Sequence, residues 1–183
     1  MTQSENIVII NDKKFSPFIL EADIKKLVRS LALQIRSEYI DKNPVFLVIL
    51  KGSIFFAADL IREIGIECQV EAMQAKSYGA KMHSSGDVNL FLFEFDIKGR
   101  NVLIIEDIVD TGQTLKALYE ELEKHSPASV EIVTLISKPE MRKSDVRVKY
   151  IGMEIPPVFI VGYGLDYDEK GRQLKDVYSI VNF

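Results

Sequence analysis

An α/β fold with a mostly parallel, twisted sheet flanked by helices is the architecture this sequence predicts. Three observations carry that expectation. Apolar residues recur at helical spacing in some segments and form unbroken runs in others, and the two patterns alternate along the chain. The connections between them are short, which favours β–α–β units over separate helical and sheet layers. The composition is that of a globular protein: 183 residues, 47% hydrophobic and 27% charged.

The elements follow in order. Ile24, Leu27, Val28, Leu31 and Ile35 share one helical face, predicting an amphipathic helix over about residues 20–40. Asn43-Pro44 interrupts it, and Val45–Leu50 is wholly apolar, as befits a strand buried on both faces of a parallel sheet. Lys51-Gly52-Ser53 ends that strand, and Ile54–Ile64 reads as a second helix closed by Gly65. Segments 66–75 and 88–95 are strand-like, separated by a stretch rich in glycine and serine. They predict a long antiparallel hairpin whose tip acts as a lid. Residues 102–105 form the next apolar strand. Leu115, Leu118 and Leu122 mark a helix ended by Ser126-Pro127, and 130–136 is strand again. Beyond Pro139 the helical signal fades; 158–161 predicts one more strand within an irregular C-terminal cap.

Charge and cysteine usage narrow the function. Lys and Arg number 23 against 27 Asp and Glu, a net charge of −4, so the broad positive field of a nonspecific nucleic-acid binder is missing. An anionic substrate would have to be drawn in by local donors and a cation. The single cysteine, Cys68, cannot form an internal disulfide and reads as a small apolar filler. No apolar run approaches the length of a membrane span and no leader pattern opens the chain, so a cytoplasmic location without membrane partners is expected. His83 and His125 read as surface residues without partners.

One segment carries chemistry. Residues 102–105 are apolar, Glu106 and Asp107 are adjacent acids, and Asp110 follows one short turn later. Thr111-Gly112-Gln113-Thr114 then opens a helix. Three carboxylates gathered so closely repel one another, so folding alone gives no reason to place them at a strand's end. Hydroxyl groups or a cation give one. The Thr-Gly-Gln-Thr portion has the opposite character. A helix N-terminus presents unpaired N–H groups and the positive end of the dipole, and glycine lets an anion approach the backbone. Helix capping by Asp110 or Thr111 would explain either residue singly, but not the whole combination. In an open α/β sheet such a loop lies where ligands bind, beyond the carboxyl ends of the strands.

This string resembles the phosphoribosyl-diphosphate-binding motif of type I phosphoribosyltransferases: apolar residues, two acids, two apolar residues, then Asp-Thr-Gly-x-Thr. Leu50-Lys51-Gly52-Ser53, Ser77-Tyr78, Ser137-Lys138-Pro139 and the segment 158–167 resemble the hypoxanthine–guanine branch, in the right order over roughly residues 7–180. The resemblance implies the type I phosphoribosyltransferase fold as a single domain over 1–183. Its core would span about 20–150, with a small hood from about 1–19 and 151–183. It implies transfer of a 5-phosphoribosyl group to a 6-oxopurine.

The resemblance also assigns roles. Glu106 and Asp107 would hold the ribose hydroxyls. Thr111, Gly112, Gln113 and Thr114 would seat the 5′-phosphate, with Gln113 at the family's variable position. Asp110 would be the general base. Lys51, Gly52 and Arg172 would bind pyrophosphate. Lys138, Phe159, Ile160 and Asp166 would bind the purine. Ser77 and Tyr78 would belong to the lid. Asp166, Glu106 and Asp107 would serve Mg²⁺, and a homodimer or homotetramer would form. Two alternatives stay open: an RNA-binding transcription attenuator on the same fold, and a preference for xanthine.

Overall fold

The computed structural model describes residues 7–74 and 95–181. In chain order the elements are β1 (Val8–Ile10), β2 (Lys13–Ile19), α1 (Glu21–Tyr39), β3 (Val45–Leu50), α2 (Ile54–Ile64) and β4 (Gln69–Gln74). Then come β5 (Asn101–Val109), α3 (Gln113–Glu123), β6 (Ser129–Ser137), a single 3₁₀ turn at Pro139–Met141, β7 (Tyr150–Glu154), β8 (Ile160–Val161) and β9 (Val177–Ile180).

Five strands form an all-parallel sheet in the order β4-β3-β5-β6-β7. The apolar runs are explained by burial on both faces. Phe46, Val48, Leu103 and Ile105 face the core closed by α1 and α2; Val45, Leu47, Val102 and Ile104 face the core closed by α3. Each α-helix contributes one apolar stripe, with Ile24, Val28, Leu31 and Ile35 of α1 buried as the spacing predicts. Cys68 packs half-buried against the first core, and burial pushes its thiol above the ordinary range. No helix among the described residues is long and apolar enough to cross a membrane.

A second, antiparallel sheet has the order β1-β2-β9-β8 and joins the two ends of the chain. It shares the main core through Ile19, Ile160, Tyr163 and Val177. It also touches the parallel sheet's upper edge through a glycine. Gly164 sits at φ +101, and a Cβ there would lie 1.9 Å from the carbonyl oxygen of Gly52. Only glycine lets these two loops meet.

Four details differ from the sequence expectation. The strand read over 102–105 continues to Val109, so Glu106 and Asp107 are strand residues and not loop residues. Helix α3 stops at Glu123, before Ser126-Pro127. The segment expected as one arm of a hairpin, β4, pairs parallel with β3 from Val45–Gln69 to Leu50–Gln74; the rest of the hairpin lies outside the described residues. Strands β1, β2, β7 and β9 carried no clear alternation and were not foreseen.

Gly164→Ala is expected to cost about 2–4 kcal/mol, combining overpacking with an unfavourable φ. Urea unfolding measures it; a loss below about 1 kcal/mol would mean the two loops part without penalty.

Candidate active site

The order β4-β3-β5 reverses direction at β3 and β5, which makes the gap between their carboxyl ends the switch point of the sheet. Pairing between these strands ends at Val48–Ile105, although β3 runs on to Leu50 and β5 to Val109. The strands thus separate just where the acids begin. The loop 51–53 lies on one side of the crevice, and the residues from Glu106 to Gln113 on the other.

Glu106 and Asp107 project to opposite faces of β5, as adjacent strand residues must. Asp107 is buried, accepts the N–H of Ile108 at 2.7 Å, and lies against Gly52, where a Cβ would come 1.8 Å from its Oδ2. Burial raises the Asp107 carboxyl to about 6, against the pull of nearby N–H groups and Arg172. Burial raises Glu106 well above the usual carboxylate range, with the Asp107 charge adding to it. Glu106 Oε2 is shut off from solvent with no hydrogen-bond partner among the described residues.

Next along the chain, Gly112 takes φ +74 and forms the N-cap of α3 with no side-chain cap. The Thr111 hydroxyl stands 3.5 Å from the Gln113 amide, at the limit of hydrogen bonding. Capping therefore does not account for the motif; the first-turn amides are left for an anion. The loop is braced from behind, where Lys143 N–H and Ser144 Oγ donate to the Thr111 carbonyl at 3.0 and 3.3 Å. A groove of about 700 Å³ opens beside α3, lined by Gln113, Lys116, Arg142 and Ser144 among others.

Asp110 points toward Lys138, with Oδ2 3.7 Å from Nζ. Lys138 is itself buried, and its amide donates to the Val109 carbonyl at 2.9 Å, which ties the end of β6 to the end of β5. Asp110 Oδ1 is buried without a partner. A cation and a carboxylate side by side, each with unused bonding capacity, suit two neighbouring polar atoms on one edge of a ligand.

Opposite them, Arg172 donates Nη1 to the Gly164 carbonyl at 2.9 Å and lies 2.9 Å from Asp166 Oδ1. Asp166 Oδ2 accepts the Glu169 N–H at 2.8 Å. Glu169 in turn contacts both Lys51 Nζ, at 3.0 Å, and Arg172 Nη2, at 3.2 Å. Phe159 is 44% exposed and meets Tyr167 edge-on at 5.8 Å, while Ile160 is buried in β8.

With this geometry in place, comparison with known proteins is decisive. The sequence profile of the phosphoribosyl transferase domain matches residues 19–168. The chain belongs to the phosphoribosyltransferase family. A hypoxanthine-guanine phosphoribosyltransferase of Aquifex aeolicus is 40% identical over 173 residues, covering 93% of this chain and 97% of that one. One from Bacillus subtilis is 42% identical over 157 residues, 85% of this chain and 87% of that one. The solved structure of a hypoxanthine phosphoribosyltransferase from Staphylococcus aureus superposes with a TM-score of 0.83 at 40% identity, over 90% of each chain.

As a phosphoribosyltransferase, the protein gathers the acids, the cradle and the Asp110–Lys138 pair at one end of the sheet. The same contacts join Gly52 to Asp107 and Lys51 to Arg172 through Glu169. Ser77 and Tyr78 lie outside the described residues, as does His83. His125 is a surface residue, but it has a partner, its Nε2 lying 3.7 Å from Glu121 Oε1. Two residues were missed in the sequence. Glu169 has only its i, i+3 spacing to Arg172 as a signal. Arg142 places Nη2 3.2 Å from Ser137 Oγ and leaves its buried Nε unpartnered.

A pH dependence follows from Asp107. Its folded-state pKa is raised from 3.8 to about 6, so ionisation opposes folding. The stability tied to its protonated form is complete below the unfolded value and is lost as pH rises toward the folded one. Asp107→Asn should therefore gain on the wild type between about pH 4 and pH 6, by up to roughly 3 kcal/mol, and level off above. Urea unfolding across that range tests it, and a flat difference would contradict it.

Proposed function

We propose that this protein transfers the 5-phosphoribosyl group from phosphoribosyl diphosphate to N9 of hypoxanthine, and of guanine, releasing pyrophosphate. The observation that carries the reading is the buried Lys138 beside Asp110, next to an uncapped anion cradle at Gly112. Purines present O6 and N7 as adjacent groups on one edge, and a cation–carboxylate pair can serve both at once. Lys138 donates to O6. An amino group in that place would set donor against donor, which disfavours adenine.

The bond from C1 of the ribose to the diphosphate oxygen breaks, its electron pair leaving with pyrophosphate, and the bond from C1 to N9 forms. Asp110 takes up the proton from N7 as the base attacks. The amides and hydroxyls of 111–114 fix the 5′-phosphate, and Glu106 and Asp107 accept from the ribose hydroxyls, so C1 is held in position for attack. Lys51, the Gly52 loop and Arg172 take the negative charge that grows on the leaving group. Phe159 offers its exposed side to the purine ring, an interaction of about 1–3 kcal/mol.

Asp107, Glu106 and Asp166 are hard oxygen donors that fit Mg²⁺. Among the described residues no three His, Cys, Asp or Glu side chains form a ready cage. That suits an ion which takes one or two carboxylates and completes its shell with phosphate oxygens and water. When bound with the substrate, Mg²⁺ supplies positive charge that offsets the diphosphate.

The direct test supplies phosphoribosyl diphosphate, Mg²⁺ and each nucleobase in turn and measures nucleotide formed. Product with hypoxanthine and guanine is expected; product with adenine alone, or with none, would overturn the reading. Asp110→Asn should lower kcat about a hundredfold or more while shifting KM much less. Unchanged turnover would remove the general-base role.

A further inference from the structure

The two cations assigned above to pyrophosphate already share an anion. Glu169 Oε2 lies 3.0 Å from Lys51 Nζ and 3.2 Å from Arg172 Nη2, so a single carboxylate oxygen bridges them. Lys51 belongs to the loop after β3, whereas Glu169 and Arg172 belong to the loop before β9. The bridge therefore ties the loop after β3 to the loop before β9. A phosphate oxygen of pyrophosphate would make the same two contacts.

Nothing about packing requires Glu169 to be there. Its side chain is 65% exposed, and neither Lys51 nor Glu169 contributes to a hydrophobic cluster. The backbone is nevertheless held in a costly shape: Asp168 and Glu169 take φ of +53 and +62, two successive left-handed residues without glycine. The Glu169 amide is anchored on Asp166 Oδ2. Arg172 Nε, by contrast, is buried with no partner among the described residues, so the guanidinium retains a donor that Glu169 does not satisfy.

We propose that Glu169 is a placeholder for pyrophosphate: its carboxylate holds Lys51 and Arg172 aligned until the diphosphate displaces it, and by re-forming the bridge it helps release the product. This rests on the reading that Lys51 and Arg172 bind the diphosphate. Glu169 is a positioning residue in this scheme and touches neither the ribose nor the purine. Its exposure makes displacement inexpensive, since exposed ion pairs are weak.

The test is titration of magnesium pyrophosphate into the full-length wild type, Glu169→Gln and Glu169→Ala, followed by steady-state kinetics. Both variants should bind pyrophosphate about three- to tenfold more tightly, the range expected on removing a competitor held by two exposed pairs. KM for phosphoribosyl diphosphate should fall with it, KM for hypoxanthine should hold, and kcat should fall or stay level as product release slows. Unchanged or weaker pyrophosphate binding in folded variants would overturn the placeholder, weaker binding showing that Glu169 only orients the cations. Arg172→Met separates the two readings. If pyrophosphate binding by the wild type is absent, or is unaffected in that variant, the assignment of the cations fails and the placeholder fails with it. If that variant loses binding while the Glu169 variants do not gain it, only the placeholder fails.

Discussion

Everything at the upper edge of the sheet depends on one contact without a Cβ: the Asp107 carboxylate resting on Gly52, with Gly164 resting on the other side of the same loop. Asp107 is fixed by β5, Gly52 by β3 and Gly164 by the segment leading from β8, so three distant stretches of chain meet within one loop's thickness. A methyl group on either glycine would displace the loop at Gly52, the first by meeting the Asp107 carboxylate and the second by meeting the Gly52 carbonyl. The crevice is possible because β3 and β5 stop pairing at Val48–Ile105, yet both strands stay buried on two faces up to that point. The acids are consequently presented from a strand that stays paired with β6 to its end. A strand of this kind holds a side chain more firmly than a loop would.

The cost of that rigidity is visible in the hydrogen bonding. Among the described residues four buried side-chain polar atoms lack partners: Glu106 Oε2, Asp110 Oδ1, Arg142 Nε and Arg172 Nε. Leaving such an atom unsatisfied costs about 1–3 kcal/mol. Two are acceptors and two are donors, and they border the crevice or the cradle instead of being spread through the core. Glu38, Tyr150 and Lys149 on the far side of the sheet show the contrast, since their polar atoms are mutually bonded. Unsatisfied polar atoms gathered in one region mark where a bound ligand can complete the hydrogen bonding that folding left open.

The sequence was most legible where the signal is local. The cradle, the acids and the Asp110 turn lie within one strand–loop–helix unit, so their order along the chain already states their geometry. The central strands were legible because both faces are buried. Charge hid the end of β5, since a periodicity reading stops at Glu106, whereas the ladder to β6 continues through Val109–Ser137. Pro17 hid β2, and the register indeed shifts between Pro17 and Ile19. Gly152 hid β7, although the Leu135 carbonyl would lie 2.6 Å from a Cβ there, so the strand needs the glycine that obscured it. The pairing of β4 with β3 was misread because direction is set by a distant partner. Glu169 was invisible for the same reason: an exposed glutamate has no pattern, and only the fold brings Lys51 to it.

This division between local and distant parts bears on what the molecule can change. The acids and the uncapped start of α3 lie together within residues 106–114. Other candidate residues come from elsewhere: Lys138 directly follows β6, and Phe159 and Ile160 stand at the start of β8 in the antiparallel sheet. Phe159 is steadied by Tyr167 edge-on and by Phe15 of β2 at 6.2 Å, and the Tyr167 hydroxyl donates to Asp12 at 2.8 Å. The aromatic platform therefore takes its position from the chain's N-terminal strands. Substitutions there would shift the Phe159 ring, whereas β5 is held by its ladders to β3 and β6. The two groups of residues meet at the Gly164–Gly52 contact, along the β5–β6 ladder that ends beside Lys138, and at the Lys138–Asp110 pair, so a shift of either is felt at the other.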